Sequence, residues 1–268
     1  MTPGLGSYAF RWSIGHRDRV PSRPMTAMDV LDAAVGLKMP VLQYADNMRL
    51  HEIEIAKIDE IATSARERGV ALEIGAQGFE RDMVSRYVAL ADQMDASILR
   101  IALDGEDAAR PLEDLGEDLR GAVAEARGIC RIAIENHFDY PSPQMARLLD
   151  RVEDDGLGVC LDVANSICAG EWPAETVGLL APRTINLHMK DYVIAPDPYG
   201  VGFRVHGVPL GEGRTDMAAV LDALEGRAMS VIYEHWLPWP GDFSAAHEQE
   251  RVWTAQGTAA LSDILAAR

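Results

Sequence analysis

TINLH, residues 184–188, is a short run of strand-forming residues that ends in a histidine. Three similar runs end in a carboxylate: RIAIE at 131–135, GVCLD at 158–162 and SVIYE at 230–234. Short apolar runs of this kind are typical of strands buried in a parallel sheet. The four end residues are side chains that bind metal ions: Glu135, Asp162, His188 and Glu234. The four runs therefore predict one divalent-metal site at the ends of neighbouring strands.

The residue types of this site favour a hard or borderline cation. Three carboxylates and one imidazole suit Mn²⁺, Mg²⁺ or Co²⁺, whereas structural zinc sites normally include thiolates. We expect one Mn²⁺ ion, with Mg²⁺, Co²⁺ or Zn²⁺ as alternatives. One such residue alone would be interpreted as a solvated strand end or a surface ion pair. Four at matching positions favour a metal site.

The whole chain alternates short apolar runs with longer amphipathic segments, which predicts repeated βα units. No Pro-, Gly- or Ser-rich linker divides the 268 residues. We therefore predict an α/β protein with a single (β/α)₈ TIM barrel over residues 1–268, whose catalytic groups lie at the C-terminal ends of the strands. The predicted strands are 5–10, 41–44, 70–75, 98–103, 132–135, 158–162, 184–188 and 230–234.

The composition of the chain limits which partners the protein is expected to bind. The formal net charge is −17, and a protein that binds nucleic acid needs clustered Lys and Arg, so nucleic acid is not an expected partner. No run has the apolar length of a membrane span or a secretory signal. Three cysteines, an odd number, are expected to be free thiols. We expect a cytoplasmic protein with a small-molecule substrate and no membrane partner. A homo-oligomer is possible.

Strand periodicity places two more polar residues beside the predicted site. His137 shares the parity of Glu135, so both face the barrel mouth if the strand stays extended. It is a candidate acid/base, or else a histidine hydrogen-bonded in the following loop. Lys190 shares the parity of His188 and is predicted either to hold a substrate oxygen or to pair with Asp191.

Further polar residues are candidates for substrate binding. Arg100 lies inside an apolar run, where a charge needs a partner, and we expect it to pair with Glu73 or to contact substrate. Asn165 opens the next βα connection and is expected to bind substrate or to cap a helix. The connection 190–213 is longer than an ordinary βα loop, which favours a substrate-covering loop with His206 as a candidate contact.

The motifs ENH, LDVAN, INLHMKD and VIYEHW, in this order at the predicted strand ends, resemble the xylose-isomerase-like barrel superfamily of sugar phosphate isomerases and epimerases. The resemblance covers most of the chain. It implies a metal-dependent isomerase or epimerase that acts on a small ketose or related sugar- or polyol-derived carbonyl compound through an enediolate. By resemblance to ketose 3-epimerases, Glu135 and Glu234 are the acid and base, and Arg204 contacts the substrate.

One position departs from the 3-epimerases, which have a histidine three residues after the metal-binding aspartate. This chain has Asn165 there, and an amide cannot take up a proton at neutral pH, so His137 is the candidate that replaces it. Some related barrels with a histidine near the first glutamate are lyases that act on 3-keto-glycosides or 3-dehydroshikimate. A metal-dependent lyase is therefore the alternative function.

Two functions from other functional classes are less well supported by the sequence. Endonuclease IV has the same barrel but needs a three-zinc site with additional histidines and a basic face, which seven histidines and the net charge disfavour. A non-catalytic member that only binds sugar or metal would not need to keep all four ligands.

Overall fold

Eight parallel strands close into a barrel in the computed structural model, which describes residues 1–268. The barrel strands are β1 (Thr2–Gly6), β2 (Val41–Tyr44), β3 (Ala71–Gln77), β4 (Ile98–Ala102), β5 (Arg131–Glu135), β6 (Leu157–Asp162), β7 (Thr184–Met189) and, after the β8–β9 hairpin described below, β10 (Ser230–Tyr233). Closure comes from β10, which pairs with both β7 and β1. The prediction of a single (β/α)₈ TIM barrel is confirmed.

Helices surround the barrel and bury its outer face. No helix combines the length and the apolar character that crossing a membrane requires. The helix that follows β1 and its turn region begins after Thr26, which forms a capping box with Asp29, as their spacing predicts. The helices are α1 (Arg11–Ile14), α2 (Ala27–Gly36), α3 (Ile55–Glu67), α4 (Arg81–Met94), α5 (Gly105–Ala108), α6 (Leu112–Ala126), α7 (Ser142–Val152), α8 (Val163–Cys168), α9 (Pro173–Leu180), α10 (Met217–Ala223) and α11 (Phe243–Ala266).

The first strand lies earlier than predicted. Residues 5–10 were expected to be extended, but β1 ends at Gly6 and Ser7–Phe10 form a 3₁₀ helix. Ser7 holds this turn, because its hydroxyl donates to Oδ1 of Asn47 at 2.6 Å and accepts the N–H of Ala45 at 2.9 Å. These contacts join segments about 40 residues apart, so the local apolar pattern alone could not place the strand end.

The long connection after β7 is a hairpin and not the predicted loop. Its strands are β8 (Asp191–Pro196) and β9 (Phe203–Val208), paired antiparallel. Asp191 anchors the base of the hairpin, because its carboxylate accepts the backbone N–H groups of Tyr192, Gly213 and Thr215 at 2.8–2.9 Å. Regular pairing satisfies the backbone hydrogen bonds of this long connection.

Candidate active site

Four buried side chains converge at the C-terminal ends of the strands. Nδ1 of His188 lies 3.7 Å from Oε1 of Glu135, 3.8 Å from Oδ2 of Asp162 and 3.6 Å from Oε2 of Glu234. None of the four residues is more than 2% exposed. The barrel therefore brings together the four residues that the strand-end pattern predicts as metal ligands.

The surroundings of His188 fit a cation. Its Nε2 lies 2.6 Å from Oε1 of Gln43, which places the proton on Nε2 and leaves the lone pair of Nδ1 facing the carboxylates. Nδ1 is buried and has no hydrogen-bond partner, which is unfavourable unless a proton or a metal ion lies there. Ligand atoms of Asp162, His188 and Glu234 lie within 4.8 Å of one another, as expected of atoms about 2 Å from a shared ion.

Gln43 belongs to a polar layer one step deeper in the barrel. Its Nε2 donates to Oε2 of Glu73 at 2.9 Å and to Oδ1 of Asn186 at 3.0 Å, which fixes the amide orientation. Asn186 donates in turn to Ser230 at 2.7 Å. Burial raises the pKa of Glu73, against the lowering effect of these hydrogen bonds. Sequence reasoning missed this layer, although an amide inside the apolar run VLQY was the available signal.

The charges of Arg100 and Glu73 inside apolar runs predict an ion pair between them. The structure does not contain this pair. Nε of Arg100 lies 2.5 Å from Oε2 of Glu135, and its Nη1 lies 3.0 Å from Oδ1 of Asp46. The register explains this, because Arg100 is opposite Gly75, two positions beyond Glu73 along β3. Arg100 therefore holds Glu135 in place at the level of the candidate site.

Lys190 faces the site and not Asp191. Its Nζ lies 2.6 Å from Oδ2 of Asp162 and 3.0 Å from Oε2 of Glu234. Adjacent residues of an extended segment point in opposite directions, so Asp191 cannot be the partner. Burial acts to lower the pKa of Lys190, but the charges of Asp162 and Glu234 outweigh it and raise the pKa.

The charge balance of the cluster matches one divalent ion. Besides His188, which is neutral when Nδ1 binds a metal, the cluster contains four carboxylates and two cations, and so two uncompensated negative charges. The carboxylates are Glu135, Asp162, Glu234 and Asp46, and the cations are Arg100 and Lys190. Cys160 lies near Glu135 and His188, and burial raises the pKa of its thiol to about 11.

Asn165 positions a carboxylate and is not the helix cap. Its Nδ2 donates to Oε1 of Glu135 at 2.8 Å and to the carbonyl of Asn136 at 3.1 Å. Asp162 caps α8 instead, accepting the N–H of Asn165 at 3.1 Å. Where the 3-epimerases have a titratable histidine, this chain therefore has a neutral donor that restrains Glu135.

A cavity of about 330 Å³ opens above these residues at the barrel mouth. His137 lines it, and its Nδ1 is buried without a hydrogen-bond partner. Burial lowers the pKa of His137, so the imidazole is neutral near pH 7. The segment after β1 adds Tyr8, Arg11, His16 and Arg17 to the wall, and sequence reasoning missed Tyr8, Arg11 and Arg17.

Arg204 and His206 lie on β9 and do not line this cavity. Arg204 is more than half exposed and pairs with Asp197 in the same hairpin. The hairpin is therefore not a cover over the cavity in this structure, and substrate contacts by Arg204 and His206 remain predictions.

A family model described as the xylose isomerase-like TIM barrel matches residues 69–256. The chain belongs to the xylose isomerase-like TIM barrel family. Within it, the chain is similar to the 3-oxo-isoapionate decarboxylase of Pectobacterium atrosepticum, with 28% identity over 257 residues that cover 95% of this chain and 92% of that protein.

Solved structures show the same fold at low sequence identity. A D-psicose 3-epimerase, solved in the presence of D-fructose, superposes with a TM-score of 0.71 at 14% identity, covering 98% of this chain and 99% of that one. A probable 3-DHS dehydratase from Bacillus anthracis gives 0.68 at 15% identity, with coverage of 98% and 99%. A xylose isomerase-like protein from Mycobacterium smegmatis in complex with magnesium gives 0.66 at 16% identity, with 97% of each chain covered. This family fold thus supports different chemistries.

Proposed function

We propose that this protein is a metal-dependent lyase that decarboxylates a small 3-oxo acid with sugar-like hydroxyl groups. The observation that carries the proposal is that Glu135 and Glu234, the two candidate acid/base residues, are each held by a cation. Arg100 lies 2.5 Å from Glu135 and Lys190 lies 3.0 Å from Glu234. The likeness to a 3-oxo-isoapionate decarboxylase over 95% of the chain supports the same type of reaction.

Four residues would hold the metal ion: Glu135, Asp162, His188 and Glu234. Mn²⁺ is the expected ion, with Mg²⁺ as the first alternative, which the magnesium complex of one structural relative supports. When bound, such an ion supplies positive charge that stabilises an oxygen anion of the substrate.

Decarboxylation suits the charges of this site. The bond between C2 and the carboxylate carbon breaks, and its electron pair forms an enolate with the negative charge on the 3-oxo oxygen. C2 then takes up one proton, so the acid anion and a proton give CO₂ and a ketone. No carboxylate has to remove a proton from carbon, and ion-paired glutamates are therefore no obstacle.

Lys190 has the properties that this reaction needs. Its ammonium group faces the cavity and can donate a hydrogen bond to the developing oxyanion or donate the proton that C2 takes up. Asp162 and Glu234 keep it charged and fix its position. Asn165 restrains Glu135 without adding a second titrating group.

Release of CO₂ tests the proposal. The Mn²⁺-loaded protein is incubated with a panel of 3-oxo sugar acids, and CO₂ and the ketone product are measured. Lys190→Met should lower kcat by roughly 10²- to 10⁴-fold, the usual contribution of a general acid. Lys57→Met, at an exposed position on α3, is the matched control and should leave kcat unchanged. No CO₂ from any acid of the panel would exclude the decarboxylase.

Isomerisation or epimerisation of a ketose is the second candidate. Oxygens of Glu135 and Glu234 lie 3.7 and 3.6 Å from Nδ1 of His188, and two carboxylates close to one substrate carbon could act as the base and the acid of an inversion. A panel of ketoses in D₂O tests it. A new isomer with deuterium next to the carbonyl, formed without CO₂, would support this function, and no isomer and no deuterium across the panel would reject it.

A further inference from the structure

Arg11 is a guanidinium at the cavity wall that has no counter-ion. It is the first residue of α1, lines the cavity and forms no salt bridge. Its Nε is buried and lacks a hydrogen-bond partner. The deeper cations, Arg100 and Lys190, are both paired with carboxylates. Arg11 is half-buried, and a cation at a cavity wall without a carboxylate partner is expected to attract an anion that the protein itself does not supply.

Contacts restrain both the side chain of Arg11 and the backbone next to it. The guanidinium carbon lies 4.9 Å from the centre of the Tyr8 ring, whose hydroxyl donates to Asp46 at 2.7 Å. Glu250 of α11 accepts the backbone N–H of Trp12 at 2.5 Å and that of Ser13 at 3.0 Å. A guanidinium held in this way loses little freedom when it binds a ligand.

The surroundings of Arg11 are locally positive in a chain of net charge −17. His16 and Arg17 line the same wall. Burial lowers the pKa of His16, and the charges of Arg11, Arg17 and Arg19 lower it further, so three guanidinium groups act on one imidazole. Asp139, exposed in the loop after β5, is the lining carboxylate without a cation partner.

We infer that Arg11 is the anion subsite of this cavity and binds the carboxylate of the substrate while the oxo and hydroxyl oxygens face the metal ligands. The inference rests on the proposed decarboxylation and specifies its substrate end. A guanidinium offers two parallel N–H donors that match the two carboxylate oxygens. The cavity, about 330 Å³, is large enough for a small sugar acid. Arg11 is thus the residue that selects acids over neutral ketoses.

Calorimetric binding of two matched probes tests this inference. The Mn²⁺-loaded protein is titrated with erythronate and with erythritol, which share a four-carbon polyol chain and differ in the carboxylate. The wild-type protein should bind the acid more tightly. Arg11→Met should weaken erythronate binding by roughly 10- to 100-fold, the usual contribution of a charge-assisted hydrogen bond, and leave erythritol binding unchanged. Arg11→Lys should retain part of the preference for the acid, because it keeps the positive charge but loses the two parallel N–H donors.

Arg19→Met is the control, because it removes the same charge from the same segment. Arg19 pairs with Asp18 and does not line the cavity, so this variant should keep the preference for the acid. Equal affinity of the wild-type protein for both probes would overturn the inference. An acid preference that survives in both Arg11 variants would also overturn it and place the carboxylate on the metal. If Arg11-dependent acid binding is found without CO₂ release, the subsite stands and the decarboxylase is rejected.

Discussion

A Cβ atom on Gly6 would lie only 2.6 Å from Oε1 of Glu234 and 2.7 Å from its Cγ. The backbone of Gly6 is extended, with φ −96° and ψ 144°, so other residues could adopt its conformation. The site depends on the missing side chain and not on backbone freedom. The end of β1 thus leaves the space that the Glu234 carboxylate occupies.

Gly6→Ala should therefore displace Glu234 and weaken metal binding. We expect Mn²⁺ affinity, measured by calorimetry, to fall roughly 10-fold or more, the loss typical when the support of a ligand is removed. Gly36→Ala is the control, because a Cβ at that position of α2 meets no atom within 4 Å. Unchanged Mn²⁺ affinity in Gly6→Ala would show that Glu234 is not held as a ligand.

Gln43→Met should weaken metal binding from one layer below. The change removes the acceptor of the His188 Nε2 proton, so neither the tautomer nor the ring orientation is held. We expect Mn²⁺ affinity to fall by about 10- to 100-fold. Gln93→Met, at a surface hydrogen bond to Asp59, should not alter it. If both variants bind Mn²⁺ like the wild type, His188 does not act through Nδ1.

Metal removal should lower thermal stability. The clustered carboxylates repel one another, and an ion that binds the folded state alone stabilises it by mass action. We expect Mn²⁺ added to chelator-treated protein to raise Tm by several degrees, and expect the increase to vanish in Asp162→Asn but not in Asp263→Asn at the exposed end of α11. A melting temperature that does not respond to Mn²⁺, Mg²⁺ or Co²⁺ would contradict the metal site.

Glu234→Gln should abolish turnover while the fold stays intact. The amide keeps the shape of the side chain but loses the charge that pairs with Lys190 and that would bind the metal. We expect kcat to fall by roughly 10³-fold or more, with an unchanged circular dichroism spectrum. Glu225→Gln, at an exposed position after α10, serves as the control. Full activity in Glu234→Gln would exclude this residue from the chemistry.

Glu250 should make stability depend on pH. Burial raises its pKa to about 7, against the lowering effect of hydrogen bonds from Ser13 and Trp12. The folded state therefore binds a proton that the unfolded state releases near pH 4.5, the ordinary value, so its contribution to stability is present at low pH and is lost as pH rises towards 7. Relative to Glu250→Gln, the wild-type protein should lose on the order of 2 kcal/mol of unfolding free energy between about pH 5 and pH 8. Parallel pH profiles from urea unfolding of the two proteins would contradict this.

The sequence by itself determined the barrel and the location of its site. The spacing of apolar residues and the length of each apolar run distinguish short buried strands from amphipathic helices. Both can be recognised within about ten to twenty neighbouring residues. The sequence alone shows that the strands end in side chains of types that can bind metal ions: Glu135, Asp162, His188 and Glu234. In a parallel barrel all strand ends meet at one face, so their convergence followed from the strand count.

Only the tertiary structure decided which polar groups pair with one another. Arg100 was expected beside Glu73 but contacts Glu135, because cross-strand register and not strand membership sets the layer of each side chain. The contact between Gln43 and His188 spans 145 residues, and Arg11 reaches the cavity wall from α1, whose backbone binds Glu250. Such contacts join segments far apart in the chain, so the local spacing of apolar residues does not predict them. Candidate metal ligands at strand ends can be predicted from sequence, whereas the groups that hold them and the cations that line the cavity depend on packing.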